Sequence, residues 1–235
     1  MLQRDGAWER AHPIEEFYFG EFEPEPGHPL TEWLGGPLLT VGCGAGQHEL
    51  GLQRARDVVA TDVDANLVAV ARDRGVDDVR EADMFDLPAR FERGRLRSVL
   101  SYGTQAGLAG SMDDLRRLFA DLAYVTDGAA TAVVDFFDPT RVDRPDDMLG
   151  YRADPAPGLA RRVMTFAYEG DVSDVLSFRL FAPVRVHEAA AATRWELRRT
   201  LHRGASPHFI ALLAKPDAAV GPATEIRWHD DADKN

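Results

Sequence analysis

Apolar residues recur along the chain as short dense runs, separated by stretches with helical spacing. Leu38 to Val41 is apolar and ends in a glycine turn, as a buried parallel strand does. Ala45 to Arg56 reads as a helix with Leu50 as its core anchor. A second strand lies within Asp57 to Val63. Asp64 then caps a helix whose Leu67, Val68 and Ala71 share one face and whose end Gly75 marks. Val79 to Ala82 is a weak third strand and Ser98 to Tyr102 a fourth. Ser111-Met112-Asp113-Asp114 has the form of a capping box, and Leu115, Leu118, Phe119 and Leu122 behind it form a helical face. Asp127-Gly128 stops that helix, and Ala129 to Phe137 is a fifth strand. Strands alternating with helices predict an α/β fold with a parallel sheet and right-handed crossovers.

The rhythm breaks at Asp138-Pro139. Residues 140–160 read as loop. Arg161 to Tyr168 and Ser173 to Phe181, joined through Gly170-Asp171, predict a β-hairpin. Pro183 to Thr193 is an alanine-rich helix, and Trp195 to Leu201 with His208 to Ala214 a closing antiparallel pair. The pattern divides the chain into an aromatic, proline-rich arm (1–37), a core (38–139), an insertion (140–194), the closing strands of the core (195–215) and a polar, frayed tail (216–235), all within one domain.

Composition narrows the partners. The 235 residues carry a net charge of −12, which repels phosphate backbones and disfavours a nucleic-acid substrate. No run approaches the roughly 20 apolar residues of a membrane helix, and no signal peptide is visible at Met1-Leu2-Gln3-Arg4-Asp5. Cys43 is the single cysteine, so no intrachain disulfide forms. A cytoplasmic setting is expected. Lys215 and Lys234 are the only lysines among 27 basic residues, which suits a salt-loving source or a GC-rich genome.

The chemistry begins at Gly42-Cys43-Gly44-Ala45-Gly46. A glycine-rich turn between a first strand and its helix lets a ligand approach the backbone, at the carboxyl end of a parallel sheet. The spacing is G-x-G-x-G, and Gln47 stands where a dinucleotide fingerprint requires its third glycine. Asp62, about 20 residues on at the end of the second strand, can accept hydrogen bonds from ribose hydroxyls. Asp83 can accept from an adenine amino group, with Met84 packed on the ring.

This set resembles the class I S-adenosylmethionine (SAM)-dependent methyltransferases. Val41 to Gly46 is similar to their first motif, Asp62 to the acid ending their second strand, and Ala82 to Pro88 to their adenine-binding segment. Ser98 to Gly103 is similar to their fourth strand, whose end faces the methyl donor. The resemblance covers roughly residues 38–137 and 195–214. It implies a Rossmann-like seven-stranded mixed sheet, last strand antiparallel, with helices on both faces and a small β-hairpin/helix insertion. It implies SAM as cofactor, contacted by Gly42, Cys43, Gly44, Gly46, Asp62, Val63, Asp83, Met84 and Ser101, and an insertion that acts as a lid over a small-molecule acceptor. The fourth strand ends in Ser101-Tyr102-Gly103 rather than an Asn/Asp-Pro-Pro-Tyr signature, which argues against amino groups of nucleic acids or glutamine.

No strong base motif stands out. His48 and Tyr102 are the weak catalytic candidates; Tyr18, Tyr151, Tyr168, His187, His202 and His208 read as surface or packing residues. Cys43 reads as packing, and no histidine-carboxylate cluster has metal-ligand spacing. The rival readings are an NAD-linked oxidoreductase and a non-catalytic SAM-binding protein on the same scaffold.

Overall fold

A computed structural model describes residues 1–23 and 27–220. The chain opens with a hairpin, β1 (Leu2–Asp5) and β2 (Trp8–Ala11), and two short helices, α1 (Ile14–Phe19) and α2 (Pro29–Glu32). The alternation follows: β3 (Leu38–Val41), α3 (Gln47–Leu52), β4 (Val58–Asp62), α4 (Ala65–Asp73), β5 (Val79–Glu81), β6 (Leu96–Ser101), α5 (Met112–Val125) and β7 (Thr126–Phe137). Then come β8 (Tyr151–Ala153), β9 (Leu159–Tyr168), β10 (Asp171–Val172), β11 (Leu176–Phe181), α6 (Pro183–Ala191), β12 (Glu196–His202) and β13 (His208–Ala214).

The main sheet has seven strands in the order β12-β13-β7-β6-β3-β4-β5. Neighbours from β5 to β7 run parallel, and β13 inserts antiparallel to β7 and β12. This is the expected Rossmann-like mixed sheet. The chain lays down β3, β4 and β5 in one direction and returns to β6 on the other side of β3. The crevice between β3 and β6 is therefore the switch point where ligands bind in such sheets.

Alternation along each strand explains why the runs are apolar throughout. Leu39, Val99, Val134, Phe209 and Leu213 pack on the α5 and α6 side with Phe119 and Trp195. Leu38, Leu100, Val133, Ile210 and Leu212 pack on the other side with Leu30, Trp33 and Leu34. Both faces are covered, so neither can be polar. The two buried indoles are satisfied: Trp33 Nε1 donates to Leu213 O at 3.0 Å, and Trp195 Nε1 to Phe119 O at 3.0 Å.

Asp64 caps as expected, its Oδ1 accepting from Asn66 N, whereas the expected box at Ser111 is half formed: Ser111 Oγ accepts from Asp114 N and donates to Asp114 Oδ2 in place of the Ser111 backbone N–H. Two boundaries differ. The first core helix is Gln47–Leu52, not residues 45–56: Gly46 is left-handed, and Arg56 leaves the helix to donate Nη1 to Leu30 O and Leu34 O. The fifth strand starts at Thr126, because Asp127-Gly128 is absorbed into the strand beside a register shift opposite Leu96 and Ser98.

The insertion is larger than a hairpin. β9 is the spine of a second, six-stranded sheet. β8 and then β1 pair along one of its edges, β11 and β10 along the other. The β9–β10 turn is Glu169-Gly170, both at positive φ, the backbone a two-residue hairpin requires. Residues 1–11, expected as an arm on the core, are thus two strands of this sheet. Residues 151–153, expected as loop, are a third. Of the expected frayed tail, Ala218 and Val220 pack against the main core, and residues 221–235 lie outside the described residues.

Candidate functional site

The glycine turn is fixed by backbone conformation before any ligand is considered. Gly42, Gly44 and Gly46 all have positive φ (72°, 56° and 81°), a region other residues enter only with strain. Space is also lacking. A Cβ on Gly46 would lie 2.5 Å from Val76 Cγ2, and one on Gly42 would lie 2.6 Å from Gln105 Cγ. Gly42 N and Cys43 N both donate to Thr61 O, which ties the turn to β4.

Asp62 ends β4 with its side chain buried beside that turn. Its Oδ2 accepts from Gly44 N at 2.9 Å and its Oδ1 from Asp64 N at 3.0 Å. The carboxylate is held rigidly, with further lone pairs free to accept. Val63 follows it and is 68% exposed, an unusual fate for a valine next to a buried strand. Asp83 accepts from Phe85 N through Oδ1 at 2.9 Å. Met84 corrects an expectation: it is buried in the main core cluster with Leu87, so little of its side chain is left to cover a ring. Ser101, at the carboxyl end of β6, is buried with its Oγ unpartnered among the described residues.

Three residues border the turn, of which sequence reading named only Tyr18, as one of several tyrosines able to reach a pocket. Tyr18 of α1 covers it, with its ring 3.3 Å from where a Gly44 Cβ would stand. Arg74 holds that segment in place through Tyr18 O, Phe19 O and Ala45 O. Glu49 of α3 is 2% exposed, and burial, reinforced by the nearby Asp62, pushes its carboxyl up to about 7. A carboxylate in a first helical turn is ordinarily solvated. Only the short, inward-facing α3 makes it internal.

Across the crevice the surface is aromatic. His48 lies between Phe22 and Tyr102, at ring distances of 4.7 and 5.0 Å. Burial pushes its imidazole down to about 4, with His28 adding to the effect, so it is neutral at neutral pH. Burial also raises the Tyr102 hydroxyl, with Asp135 contributing. The structure thus brings the two weak catalytic candidates into one packed cluster. Cys43 likewise packs, partly buried, with its thiol raised by burial. Beyond Tyr102 stands His208, whose Nε2 lies 2.8 Å from Asp135 Oδ2. Asp135 was missed, although an acid inside the apolar run Ala132 to Phe137 is a readable signal. One face of the second sheet closes this side. Arg162 of β9 sits over the Phe137 ring at 5.7 Å, and Phe137 contacts His208.

A cavity of about 380 Å³ lies at the opposite end of the sheet, lined by Arg93, Tyr124, Arg194 and Lys215. There Lys215 Nζ donates to Ala123 O and Thr126 O, closing the end of α5, a structural role.

Residues 39–128 match a family of known proteins described as a methyltransferase domain. Over these residues, which hold the glycine turn, Asp62 and Asp83, the chain is similar to methyltransferases. Solved structures carry the same fold. A SAM-dependent methyltransferase from Bacteroides fragilis, in complex with S-adenosyl-L-homocysteine, is 20% identical with a TM-score of 0.71, over 91% of this chain and 86% of that one. The CcbJ methyltransferase from Streptomyces caelestis is 14% identical with a TM-score of 0.64, over 88% and 96%. The amino pentose methyltransferase CalS10 from Micromonospora echinaspora, solved with SAM bound, is 18% identical with a TM-score of 0.57, over 76% and 82%. No curated protein matches by sequence. The family match ends at residue 128, so most of β7, the second sheet and the closing strands lie outside it.

Proposed function

We propose that this protein transfers a methyl group from SAM to a small-molecule acceptor held between the carboxyl edge of the main sheet and the second sheet. The observation that carries the donor half is the Asp62 carboxylate, buried and fixed on Gly44 N beside three left-handed glycines. The cradle would be filled by any side chain, so it suits a ligand pressed against backbone. Gly42, Cys43, Gly44 and Gly46 would hold the methionine part, Asp62 the ribose, and Val63 the adenine face. Asp83 would accept from the adenine amino group, with Met84 limited to its exposed edge, and Ser101 would face the reacting end. SAM supplies a methyl already activated on a sulfonium. The chain's own task is alignment and exclusion of water.

A small acceptor is supported by the acidic net charge of −12 and by the lack of an amino-group signature after β6. CalS10, which shares the fold, acts on an amino pentose. In this reading residues 38–139 and 195–215 form the core, and 140–194, joined by the hairpin within 1–37, form the lid. A cytoplasmic setting accords with the absence, among the described residues, of any helix long and apolar enough to cross a membrane. The lysine-poor, acid-rich surface is read as salt adaptation. Unfolding in low salt tests it, since full stability without molar salt contradicts it.

Calorimetry with SAM and with NAD tests the main reading. We expect SAM to bind and NAD not to; binding of NAD alone would return the chain to the oxidoreductases. SAM binding without turnover across a broad acceptor panel would favour a non-catalytic protein.

A further inference from the structure

Asp135 lies in the last turn-ward stretch of β7 and is 1% exposed. A carboxylate buried there is costly unless donors meet it. Three do: Gly103 N at 3.2 Å, Thr104 N at 2.7 Å and His208 Nε2 at 2.8 Å. The first two come from the loop after β6, where Thr104 is held in a left-handed conformation at φ 62°. The third comes from the first residue of β13, which runs antiparallel and so begins at the carboxyl edge of the sheet. Nε2, facing a carboxylate, carries the proton. The lone pair is therefore on Nδ1. The ring is wedged edge-to-face between Tyr102 (6.1 Å) and Phe137 (5.6 Å), and His208 N is tied to Ser206 Oγ.

We propose that His208 is the general base of this enzyme, oriented by Asp135, and that the acceptor atom is a hydroxyl oxygen. This rests on the methyl-transfer reading above. An amine attacks with its own free pair, and a thiol ionises unaided near pH 8.5; a hydroxyl must shed its proton as its oxygen bonds to carbon. The oxygen takes the methyl carbon, the carbon–sulfur pair stays on sulfur, and the hydroxyl proton moves to Nδ1. The resulting imidazolium is paired with the Asp135 carboxylate. The ionisable groups around the ring are Asp135 from β7, Tyr102 from the loop after β6 and His202 from β12, with Arg203 and Arg162 beyond them.

Two measurements test this. In nitrogen-15 NMR of the free protein, His208 is expected as the Nε2–H tautomer at neutral pH, and D135N should disturb it; a proton on Nδ1 overturns the assignment. Calorimetry then establishes SAM binding, and labelled SAM is offered with phenol, catechol, ethanol, benzylamine and a simple thiol. We expect hydroxyls to be methylated. H208Q should lower kcat 10²- to 10⁴-fold and leave SAM affinity unchanged. Failure to bind SAM sinks the methyl-transfer reading itself. Methylation of the amine or the thiol but of no hydroxyl, or an H208Q enzyme with unchanged kcat, sinks the base alone, and SAM binding with no turnover at all sinks both readings.

Discussion

The donor side and the acceptor side of the crevice are built from different materials. At Gly42 to Gly46 the ligand surface is backbone, and the required residue is the one without a side chain. At Tyr102, Asp135 and His208 the surface is side chains, drawn from the loop after β6, from β7 and from β13, and roofed by a sheet that begins at residue 2. A backbone surface leaves a local trace in sequence, because a left-handed turn demands glycine at fixed spacing. A side-chain surface assembled from distant strands leaves none until the strands are ordered.

Substitutions can break this contrast, and the largest effect is expected in the backbone half. Gly46→Ala adds strain at positive φ and a clash with Val76 inside the core, together roughly 3–5 kcal/mol. Its melting temperature should fall steeply, with SAM binding lost alongside.

Glu49→Gln works in the opposite direction. The folded chain keeps this carboxyl protonated up to about pH 7, against an ordinary value of 4.5. Its raised value means that stability is full below pH 4.5 and falls as pH rises through the window to about 7. The loss is on the order of 3 kcal/mol. Glu49→Gln should remove that slope, raising the melting temperature above pH 7 and changing little below 4.5. An unchanged pH profile would show that Glu49 is not buried as described.

Asp62→Ala is expected to weaken SAM about 10- to 100-fold by calorimetry, the worth of charge-assisted hydrogen bonds. Unchanged affinity would remove Asp62 from the site. The smallest effect is expected at the roof. Asp5→Asn breaks the two-pronged Arg152–Asp5 pair that joins β1 to β8, and Arg152 is half exposed. The expected loss is below about 1 kcal/mol and is screened by salt. A larger loss would mean that the second sheet depends on its N-terminal hairpin.

Much of the main sheet was legible because its signals are local. Both-face burial makes Leu38 to Val41 and Val133 to Phe136 apolar except at Thr40 and Asp135, and Asp64 and Ser111 announce their helices. The second sheet was not, since β1 and β9 are more than 150 residues apart and pair through backbone groups that any sequence offers. Met84 was misjudged because its apolar character suits a core as well as a ring. His208 reads as a surface histidine until β13 is seen to run antiparallel, which delivers it to Asp135.

The most direct test is a crystal structure of the enzyme with S-adenosyl-L-homocysteine. The account predicts the ribose on Asp62, the homocysteine along Gly42 to Gly46, and the sulfur directed across the crevice toward Ser101 and Tyr102. A nucleoside seated elsewhere, with the Asp62 carboxylate touching only Gly44 and Asp64, would contradict it.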